Sequence, residues 1–522
     1  MSAVRVDRRV LRDGFGRDEI LDLLEVGLAA VEPAELVRRA LERDAVALRV
    51  ARERVVMVSI GKAAVAMARG AIEALGGSPR RGVVVAPGGD APKSSAAADA
   101  VSMREVAGLE FYVGGHPLPD SGSVGAAAAV ERLAAESTED DLVLCLLSGG
   151  GSSLVGAPVE GLSLADLRTT MGLLLSGGVP IDEANIVRRH LTRLSGGRLA
   201  RLVRGRLETY ALSDVPGSRP EAIASGPTVP DPATFADARN VLERRGLRPN
   251  VPAAVWRAVE RGCEGEVGET LKPGDAAFAG ARFRVIGCGE TFLDAAALRA
   301  AERGWTVVCR QEPLEGEARE VGASVGRTLR RLGEECRAPT IWLAAGETTV
   351  TVRGRGMGGR NQEAGLSAAI ELSGVAGASV AFLATDGVDG PTNAAGAFVD
   401  GDTARRIRAA GLDERAALQE NDSHRALRAS RDLLVTGPTG TNVADVVVGF
   451  VAPRSSALGD RPATAESAEI VEVREIARGA ALILACLQGG FLGRIGGRRV
   501  RRWSARLSAR FAFSAAGMPP RG

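Results

Sequence analysis

Lys62 stands out among the residues of this chain that could take part in chemistry. It is one of three lysines among 66 basic residues, and it follows the apolar run 55–60 and Gly61. An alanine-rich stretch with helical character begins directly after it. Lysine offers a compact, mobile ammonium at such a turn, whereas arginine would offer a planar fork. The setting indicates a phosphate site. A surface lysine is the alternative, because an isolated Gly-Lys lacks the rest of a P-loop.

A glycine-rich loop follows a second apolar run, 142–147. It consists of Ser148, Gly149, Gly150, Gly151, Ser152 and Ser153. Consecutive glycines allow backbone N–H groups to point into one concavity, the serines add hydroxyl donors, and a following helix N-terminus adds partial positive charge. The loop therefore predicts a phosphate or oxyanion cradle, with a flexible turn as the alternative.

Four further residues in the first half are candidates for substrate binding. His116 lies in a proline-stiffened turn and could act as a general base or as a structural hydrogen-bonding group. Arg188 and Arg189 lie in a helical segment, where either could hold a carboxylate through two hydrogen bonds or face solvent. Asp214 follows a predicted strand beside the polar loop 224–228, and it could bind Mg²⁺ or ribose hydroxyls.

The second half of the chain carries a corresponding set of polar loops. Arg360 and Asn361 begin a helical segment framed by glycines, where Arg360 is placed to meet a phosphoryl group or a carboxylate. Asp386 and Asp389 lie in a glycine-rich loop after a predicted strand. This pattern suits a hard cation, with an Asx turn as the alternative. Another polar, glycine-rich turn, 436–443, precedes the last predicted strand.

Short apolar runs alternate with longer helical patterns, which indicates an α/β fold with parallel strands. The predicted strands are 55–60, 82–86, 142–147, 209–213, 284–287, 306–310, 340–344, 381–384 and 446–451. Helical patterns such as 122–135 and 294–303 lie between them. In open α/β sheets, ligands bind at the carboxyl ends of the strands, where several of the polar loops lie.

A domain boundary is predicted between 245 and 283, where glycine, proline and charged residues are enriched. It separates a first domain, 15–250, from a smaller second domain, 281–453, with the substrate site expected in the cleft between them. The segment 457–522 is a basic tail, and from 476 onward it contains no Asp or Glu. It is expected to be disordered, with an anion-binding arm as the alternative.

The overall composition narrows the classes of partner. A formal net charge of +2 and an aromatic content of 3% argue against a nucleic-acid partner. No apolar stretch reaches the roughly 18–20 residues that span a bilayer, so no membrane partner is expected, and the first residues do not resemble a signal peptide. The cysteines show neither a CxxC pair nor metal-ligand spacing, and a reducing cytoplasmic location is expected. A homodimer is compatible with the sequence, which leaves the oligomeric state open.

A series of short motifs follows in order along the chain. They are Gly61-Lys62-Ala63-Ala64, Gly115-His116-Pro117, Ser148-Gly149-Gly150-Gly151-Ser152-Ser153, Asn185-Ile186-Val187-Arg188, Ser213-Asp214-Val215, Ser225-Gly226-Pro227-Thr228, Gly358-Gly359-Arg360-Asn361-Gln362-Glu363, Thr385-Asp386-Gly387 and Thr439-Gly440-Thr441-Asn442-Val443. Together they resemble the glycerate 2-kinase family, whose C-terminal part is the MOFRL domain. The resemblance covers about residues 15–453. Each motif alone is weak, and their combined order is specific.

The resemblance implies a two-domain α/β enzyme with a Rossmann-like N-terminal domain, a smaller α/β MOFRL domain and an active site in the interdomain cleft. It implies that ATP and Mg²⁺ are used to phosphorylate D-glycerate at its 2-hydroxyl. It gives Lys62 and Arg360 catalytic roles and assigns phosphate binding to the loop 148–153. Two positions depart from the family, which usually has Lys at Ser195 and Asp at Ser218. The loss of a lysine and an aspartate here concerns substrate affinity or the geometry of the metal site, and not the fold.

Two other functions compete with this one. A dehydrogenase acting on hydroxypyruvate or glycerate, a role also attached to the family, is supported by Gly287-Cys288-Gly289-Glu290-Thr291-Phe292 after a predicted strand. The third glycine of a dinucleotide fingerprint is missing there. A non-catalytic sugar-phosphate binding module would keep the glycine loops but would need neither Lys62 nor the Asp386 and Asp389 pair.

Overall fold

Two six-stranded β-sheets organise the part of the chain that the structure describes. The computed structural model describes residues 6–7, 11, 13–44, 54–79, 81–88 and 108–453. The predicted basic tail, 457–522, lies outside the described residues. No helix within the described ranges is long and apolar enough to cross a membrane.

The first sheet is entirely parallel and has the strand order β3-β2-β1-β4-β5-β6. Its strands are β1 (Val55–Ile60), β2 (Arg81–Pro87), β3 (Glu110–Gly114), β4 (Leu142–Leu147), β5 (Arg206–Leu212) and β6 (Ala281–Gly287). Every residue of β1 and β4 is buried, as expected for strands that are covered by helices on both faces. This order is that of a doubly wound nucleotide-binding sheet, so the Rossmann-like prediction is confirmed.

The helices of this half and its connection to the second sheet are α1 (Arg17–Ala30), α2 (Pro33–Arg43), α3 (Ala64–Ala74), α4 (Ser121–Ala135), α5 (Gly151–Leu154), α6 (Leu164–Ser176), α7 (Ile181–Leu191), α8 (Arg198–Leu202), α9 (Phe235–Arg244), α10 (Ala253–Cys263) and α11 (Gly289–Glu302). Short 3₁₀ turns occur at Pro216–Ser218, Ile223–Ser225 and Ala276–Phe278. Alternate residues of β1 enter different cores. Val55 and Met57 pack with α2 and α3, whereas Val56 and Val58 pack with α4.

The second sheet is mixed and has the order β11-β10-β9-β12-β8-β7. It contains β7 (Thr306–Cys309), β8 (Thr340–Gly346), β9 (Ala378–Ala384), β10 (Gly396–Asp400), β11 (Leu433–Leu434) and β12 (Asp445–Val451). Its helices are α12 (Ala318–Glu335), α13 (Arg360–Leu372), α14 (Thr403–Ala409), α15 (Glu414–Gln419) and α16 (Ser423–Ser430). Strands β7 and β8 are parallel and the other neighbours are antiparallel, so the prediction of parallel strands is wrong for most of this sheet. The reason is that β12 lies between β8 and β9 and runs opposite to both, and that β10 runs opposite to its neighbours β9 and β11.

The two sheets do not divide the chain at the predicted boundary. Strand β6, which was expected to open the second domain at 281, pairs with β5 as the edge strand of the first sheet. Conversely, α1 packs on the elements of the second sheet: Gly27 lies against the ring of Phe292 on α11. Just before α1, Phe15 stacks on Phe450 of β12 with ring centroids 5.4 Å apart. The limits 15–250 and 281–453 as separate domains stay a prediction.

Gly322 on α12 provides a test of helix packing in the second half. A Cβ at this position would lie 2.1 Å from the carbonyl oxygen of Ala364 on α13. We expect Gly322→Ala to push the helices apart and to lower the free energy of unfolding by about 1–3 kcal/mol. Gly333→Ala on the same helix is the matched control, because no atom lies within 4 Å of its Cβ position. It should change stability by no more than about 1 kcal/mol. Equal urea midpoints for the two variants would contradict the close contact.

Candidate active site

Lys62 lies where the two sheets meet. It follows β1, and its backbone N–H donates to the carbonyl of Gly149 after β4 with an N···O distance of 2.9 Å. Its Nζ donates to Oδ2 of Asp386, which follows β9 of the second sheet, at 2.8 Å. The carboxyl ends of strands from both sheets are therefore joined by one lysine, as is typical of ligand sites in α/β folds.

The turn that carries Lys62 requires glycine before it. Gly61 has a φ of 133°, which favours glycine. A Cβ there would also lie 2.1 Å from Oγ of Ser148. That hydroxyl accepts a hydrogen bond from the backbone N–H of Ala63 at 3.0 Å. Ser148 therefore supports the lysine turn rather than facing a ligand with its side chain.

Asp214 and His116 flank the glycine loop. A Cβ on Gly149 would lie 1.9 Å from Oδ2 of Asp214 and 2.3 Å from Nδ2 of Asn442, so only glycine allows this approach. Asn442 donates to Asp214 with an Nδ2···Oδ2 distance of 2.9 Å. The ring of His116 lies beside the next residue, Gly150, with Cδ2 3.1 Å from that residue's Cβ position. The loop thus brings a carboxylate and an imidazole to neighbouring backbone positions.

The electrostatic setting of Asp214 connects it to both predicted catalytic cations. Burial raises the pKa of the Asp214 carboxyl, while the charges of Lys62 and Arg360 and the hydrogen bond from Asn442 oppose that rise. A carboxyl that is influenced by both cations lies in the same site as they do. Lys62, Asp214 and Arg360 therefore belong to one charged cluster.

Arg360 is held by two carboxylates at the start of α13. Its Nε and Nη2 donate to Asp445, the first residue of β12, at 2.6 and 3.1 Å. Its Nη1 donates to Glu347 after β8 at 2.6 Å. Burial alone would lower the pKa of Arg360, but Asp445 and Glu347 raise it on balance. The pKa of Asp445 is itself raised by burial, against the opposing effect of Arg360. Arg360 therefore stays a cation with a fixed orientation.

Asp389 and Asn361 interact with each other. Asp389 accepts hydrogen bonds from the backbone N–H groups of Asn361 (3.0 Å) and Gln362 (2.8 Å), and from both of their side chains. It caps the N-terminus of α13, next to Arg360. Burial raises the pKa of the Asp389 carboxyl, and the backbone donors oppose that rise.

The predicted pair of metal-binding carboxylates is not a matched pair in the structure. Asp386 bonds to Lys62, whereas Asp389 is occupied by donors from α13. Across the described residues, no group of three or more His, Cys, Asp or Glu side chains is arranged to hold a metal ion. Direct metal binding by Asp389 stays a prediction, and its capping role argues against it.

The end of the glycine loop leads to Arg188 through hydrogen-bonded side chains. The hydroxyls of Ser152 and Ser225 lie 2.8 Å apart, and Ser225 donates to Oδ1 of Asn185 at 3.4 Å. The same Oδ1 accepts from Nη1 of Arg188 at 2.7 Å. The neighbouring Ser153 turns back to donate to the carbonyl of Gly150 at 3.1 Å. Arg188 is thus linked to the cradle, although it lies on α7.

The two positions that depart from the family have local roles. Ser195 is buried, and its hydroxyl accepts a hydrogen bond from Thr192 at 2.8 Å. Ser218 ends a 3₁₀ turn and has a φ of 50°. The side chain of Ser195 is therefore satisfied within its own loop.

Glu347, Asn442 and Asp445 belong to the site, but the sequence alone assigned them no role. Asn442 lies in one of the motifs, but nothing in the motif indicates that its partner is Asp214. Asp445 carries a detectable signal, because it is a carboxylate at the start of an otherwise apolar, buried strand. Such a residue requires a cationic or hydrogen-bonding partner.

Comparison with known proteins is consistent with this geometry. Residues 19–260 match the family described as a domain of unknown function, DUF4147, and residues 340–445 match the MOFRL family. D-glycerate 2-kinase of Thermotoga maritima is 38% identical over 435 residues, covering 83% of this chain and 97% of that protein. A putative hydroxypyruvate reductase of Agrobacterium vitis is 37% identical over 446 residues, covering 84% of this chain and 95% of that protein.

A solved structure is also similar to this chain. The crystal structure of glycerate kinase from Thermotoga maritima superposes with a TM-score of 0.70 at 38% identity, covering 84% of this chain and 99% of that chain. The similarity thus extends over most of this chain and nearly all of that one. The chain belongs to the glycerate 2-kinase family with a C-terminal MOFRL domain, as its ordered motifs predicted.

Proposed function

We propose that the protein transfers the γ-phosphoryl group of ATP to the 2-hydroxyl of D-glycerate and releases 2-phospho-D-glycerate and ADP. The observation that carries this proposal is the convergence of Lys62, Arg360 and the glycine loop at one edge of the two sheets. Phosphoryl transfer depends on positioning and on neutralising charge, and these groups supply both. The name of the Thermotoga maritima relative supports the same reaction.

Lys62 and Arg360 are the proposed catalytic residues. Asp386 orients the ammonium of Lys62, and Asp445 orients the guanidinium of Arg360 through two donors. The carboxylate of Glu347 accepts from the remaining nitrogen of Arg360, and its side chain is 44% exposed. An anionic phosphoryl oxygen can therefore replace this carboxylate as a partner of Arg360. Both cations would then stabilise negative charge on the transferring group.

The loop 148–153 is proposed to hold phosphate through its backbone N–H groups. His116 and Asp214 are proposed to contact the substrate from their positions beside Gly150 and Gly149. Asn361 acts indirectly in this proposal, because it and Asp389 stabilise the start of α13 from which Arg360 projects.

Asp386 is the residue that best fits Mg²⁺. This ion commonly takes one or two protein carboxylates together with substrate phosphates, so a large protein cage is not required. Asp386 has one oxygen bonded to Lys62 and the other to the backbone N–H of Val388 at 3.1 Å, within the site. When bound with ATP, Mg²⁺ supplies further positive charge at the phosphate oxygens.

Reduction of hydroxypyruvate is the second candidate, because the Agrobacterium vitis relative carries that name. Its sequence support is the glycine turn after β6. A Cβ on Gly289 of that turn would lie 2.9 Å from the Cβ of Ala345 on β8, and Phe292 is buried. The close approach of β8 leaves the turn poorly suited to accept a dinucleotide pyrophosphate.

A cytoplasmic location, the lack of nucleic-acid and membrane partners and a homodimeric state stay predictions from composition and sequence.

A paired assay separates the two activities. We expect the purified protein to release ADP from ATP and D-glycerate in the presence of Mg²⁺. With hydroxypyruvate and NADH or NADPH, we expect no loss of absorbance at the nicotinamide band. Nicotinamide turnover without ADP release would overturn the kinase proposal.

Removal of either proposed catalytic cation should slow the chemical step. For Lys62→Ala and Arg360→Ala we expect kcat to fall on the order of 10²-fold or more, because transition-state charge is no longer stabilised. Arg405→Ala is the control, since Arg405 pairs with Asp402 on the exposed surface of α14. Steady-state ADP release measures all three. Near-normal kcat in both cation variants would remove their assigned roles.

Gly149→Ala tests the close approach of Asp214 and Asn442 to the cradle. The added methyl group would displace both side chains, and we expect kcat/KM for ATP to fall on the order of 10²-fold. Gly172→Ala on α6 is the matched control, because its Cβ position has no atom within 4 Å. Equal kinetics for the two variants would show that the cradle tolerates a wider spacing.

A further inference from the structure

We propose that Arg188 binds the carboxylate of the hydroxy-acid substrate and that Asn185 is its positioning residue. This inference deepens the proposed function and rests on it for the identity of the substrate. It identifies the group that makes the site select an acid instead of a neutral polyol.

The structure distinguishes Arg188 from its neighbour Arg189. Arg189 is buried and forms an ion pair with buried Asp231, with Nε 2.9 Å from Oδ1. It also donates to the carbonyl of Glu221 at 3.2 Å. Arg189 is thus neutralised within the protein and holds the segment after β5, where both of its partners lie. Its charge is compensated, so it is not available to a ligand carboxylate.

Arg188 has a neutral partner instead. Its Nη1 donates to the amide oxygen of Asn185 at 2.7 Å, and no carboxylate of the described chain forms an ion pair with it. Burial and the charge of Arg189 lower the pKa of Arg188 to about 10. The Arg188 side chain is partly buried, and its guanidinium lacks the anion that usually compensates a desolvated charge. A planar carboxylate from a ligand would supply that anion through two parallel hydrogen bonds.

Asn185 connects Arg188 to the glycine loop. Its Oδ1 also accepts from Ser225, whose hydroxyl lies 2.8 Å from that of Ser152 in the cradle. Ala224 and Ser225 have φ values of 49° and 60°, in the left-handed region that non-glycine residues seldom adopt. Side chains held in such a turn are positioned by their surroundings, and strained turns concentrate at ligand sites.

The same turn presses against the loop. A Cβ on Gly151 would lie 2.9 Å from the Cβ of Ala224. The cradle and the support of Arg188 are therefore in direct contact. When the hydroxyl of a small acid lies at the cradle, Arg188 is the cation without an anionic partner on this side of the loop. It is therefore available to bind the carboxylate of that acid.

Substrate kinetics of Arg188→Gln test the assignment. We expect KM for D-glycerate to rise about 10- to 100-fold, as for the loss of a charge-assisted hydrogen-bonded pair, while KM for ATP stays unchanged. Preference for D-glycerate over its neutral amide should fall by a similar factor. Arg188→Lys keeps the charge and should recover part of the loss. Arg245→Gln, which removes a surface pair with Glu183, is the control and should leave both KM values unchanged.

Asn185 variants separate positioning from a general structural role. Asn185→Asp preserves size but places an anion against Arg188. We expect it to raise KM for D-glycerate more than Asn185→Ala does, because the new carboxylate competes with the substrate. A purely structural role predicts the opposite order, since the aspartate retains a hydrogen-bond acceptor.

Calorimetric titration with D-glycerate makes the outcome independent of turnover. Binding by the wild type and loss of binding in folded Arg188→Gln support the carboxylate site even if no ADP is released, in which case only the kinase proposal fails. Unchanged glycerate affinity in a folded Arg188→Gln variant would overturn the assignment while ADP release by the wild type still supports the kinase. Thermal melting establishes folding of each variant.

Discussion

The ion pair between Lys62 and Asp386 ties together the carboxyl ends of strands from two different sheets. The residues around it are arranged so that this contact can form. Gly61 allows the turn that carries the lysine, Ser148 supports that turn, and Gly149 allows Asp214 and Asn442 to approach the backbone. Any shift of one sheet edge against the other would separate Lys62 from Asp386.

Charge is distributed unevenly around this contact. Arg360 donates hydrogen bonds to two carboxylates, Lys62 donates to one, and Arg188 donates to a neutral amide. The best-compensated cation can keep a fixed orientation without a ligand. The least-compensated one gains most when an anion arrives. This gradient matches a site that must accept two anionic ligands and release two anionic products.

Much of the first sheet could be predicted from the sequence. Its central strands are short, continuous apolar runs, and their ends are marked by glycine, which is a local signal. Lys62, Arg360 and the loop 148–153 could be found for the same reason. Strand β3 was missed because it lies at a sheet edge with a half-exposed pattern, and β11 because it has only two residues. Strand β10 was also missed, although all five of its residues are buried.

The remaining features depend on pairing over long sequence distances. No local sequence pattern indicates that Asp445 pairs with Arg360, or that β6 joins the first sheet and not the second. Asp389 illustrates the ambiguity of a local pattern. An aspartate in a glycine-rich loop looks the same in sequence whether it binds a cation or caps a helix that lies 27 residues earlier in the chain.

Strand β12 has a consequence for how the protein is made. It is a central strand that pairs along its whole length with β8 on one side and β9 on the other, although it follows all the other described strands of that sheet in the chain. During synthesis on the ribosome, β8 and β9 emerge well before β12. Until β12 is made, the edges of β8 and β9 that it will occupy stay unpaired, and unpaired strand edges promote aggregation. Because Asn442 and Asp445 arrive with β12, the same late event closes the sheet and completes the site. A chain released before this strand would lack both a closed sheet and a working site, so that partial products of synthesis would be inactive.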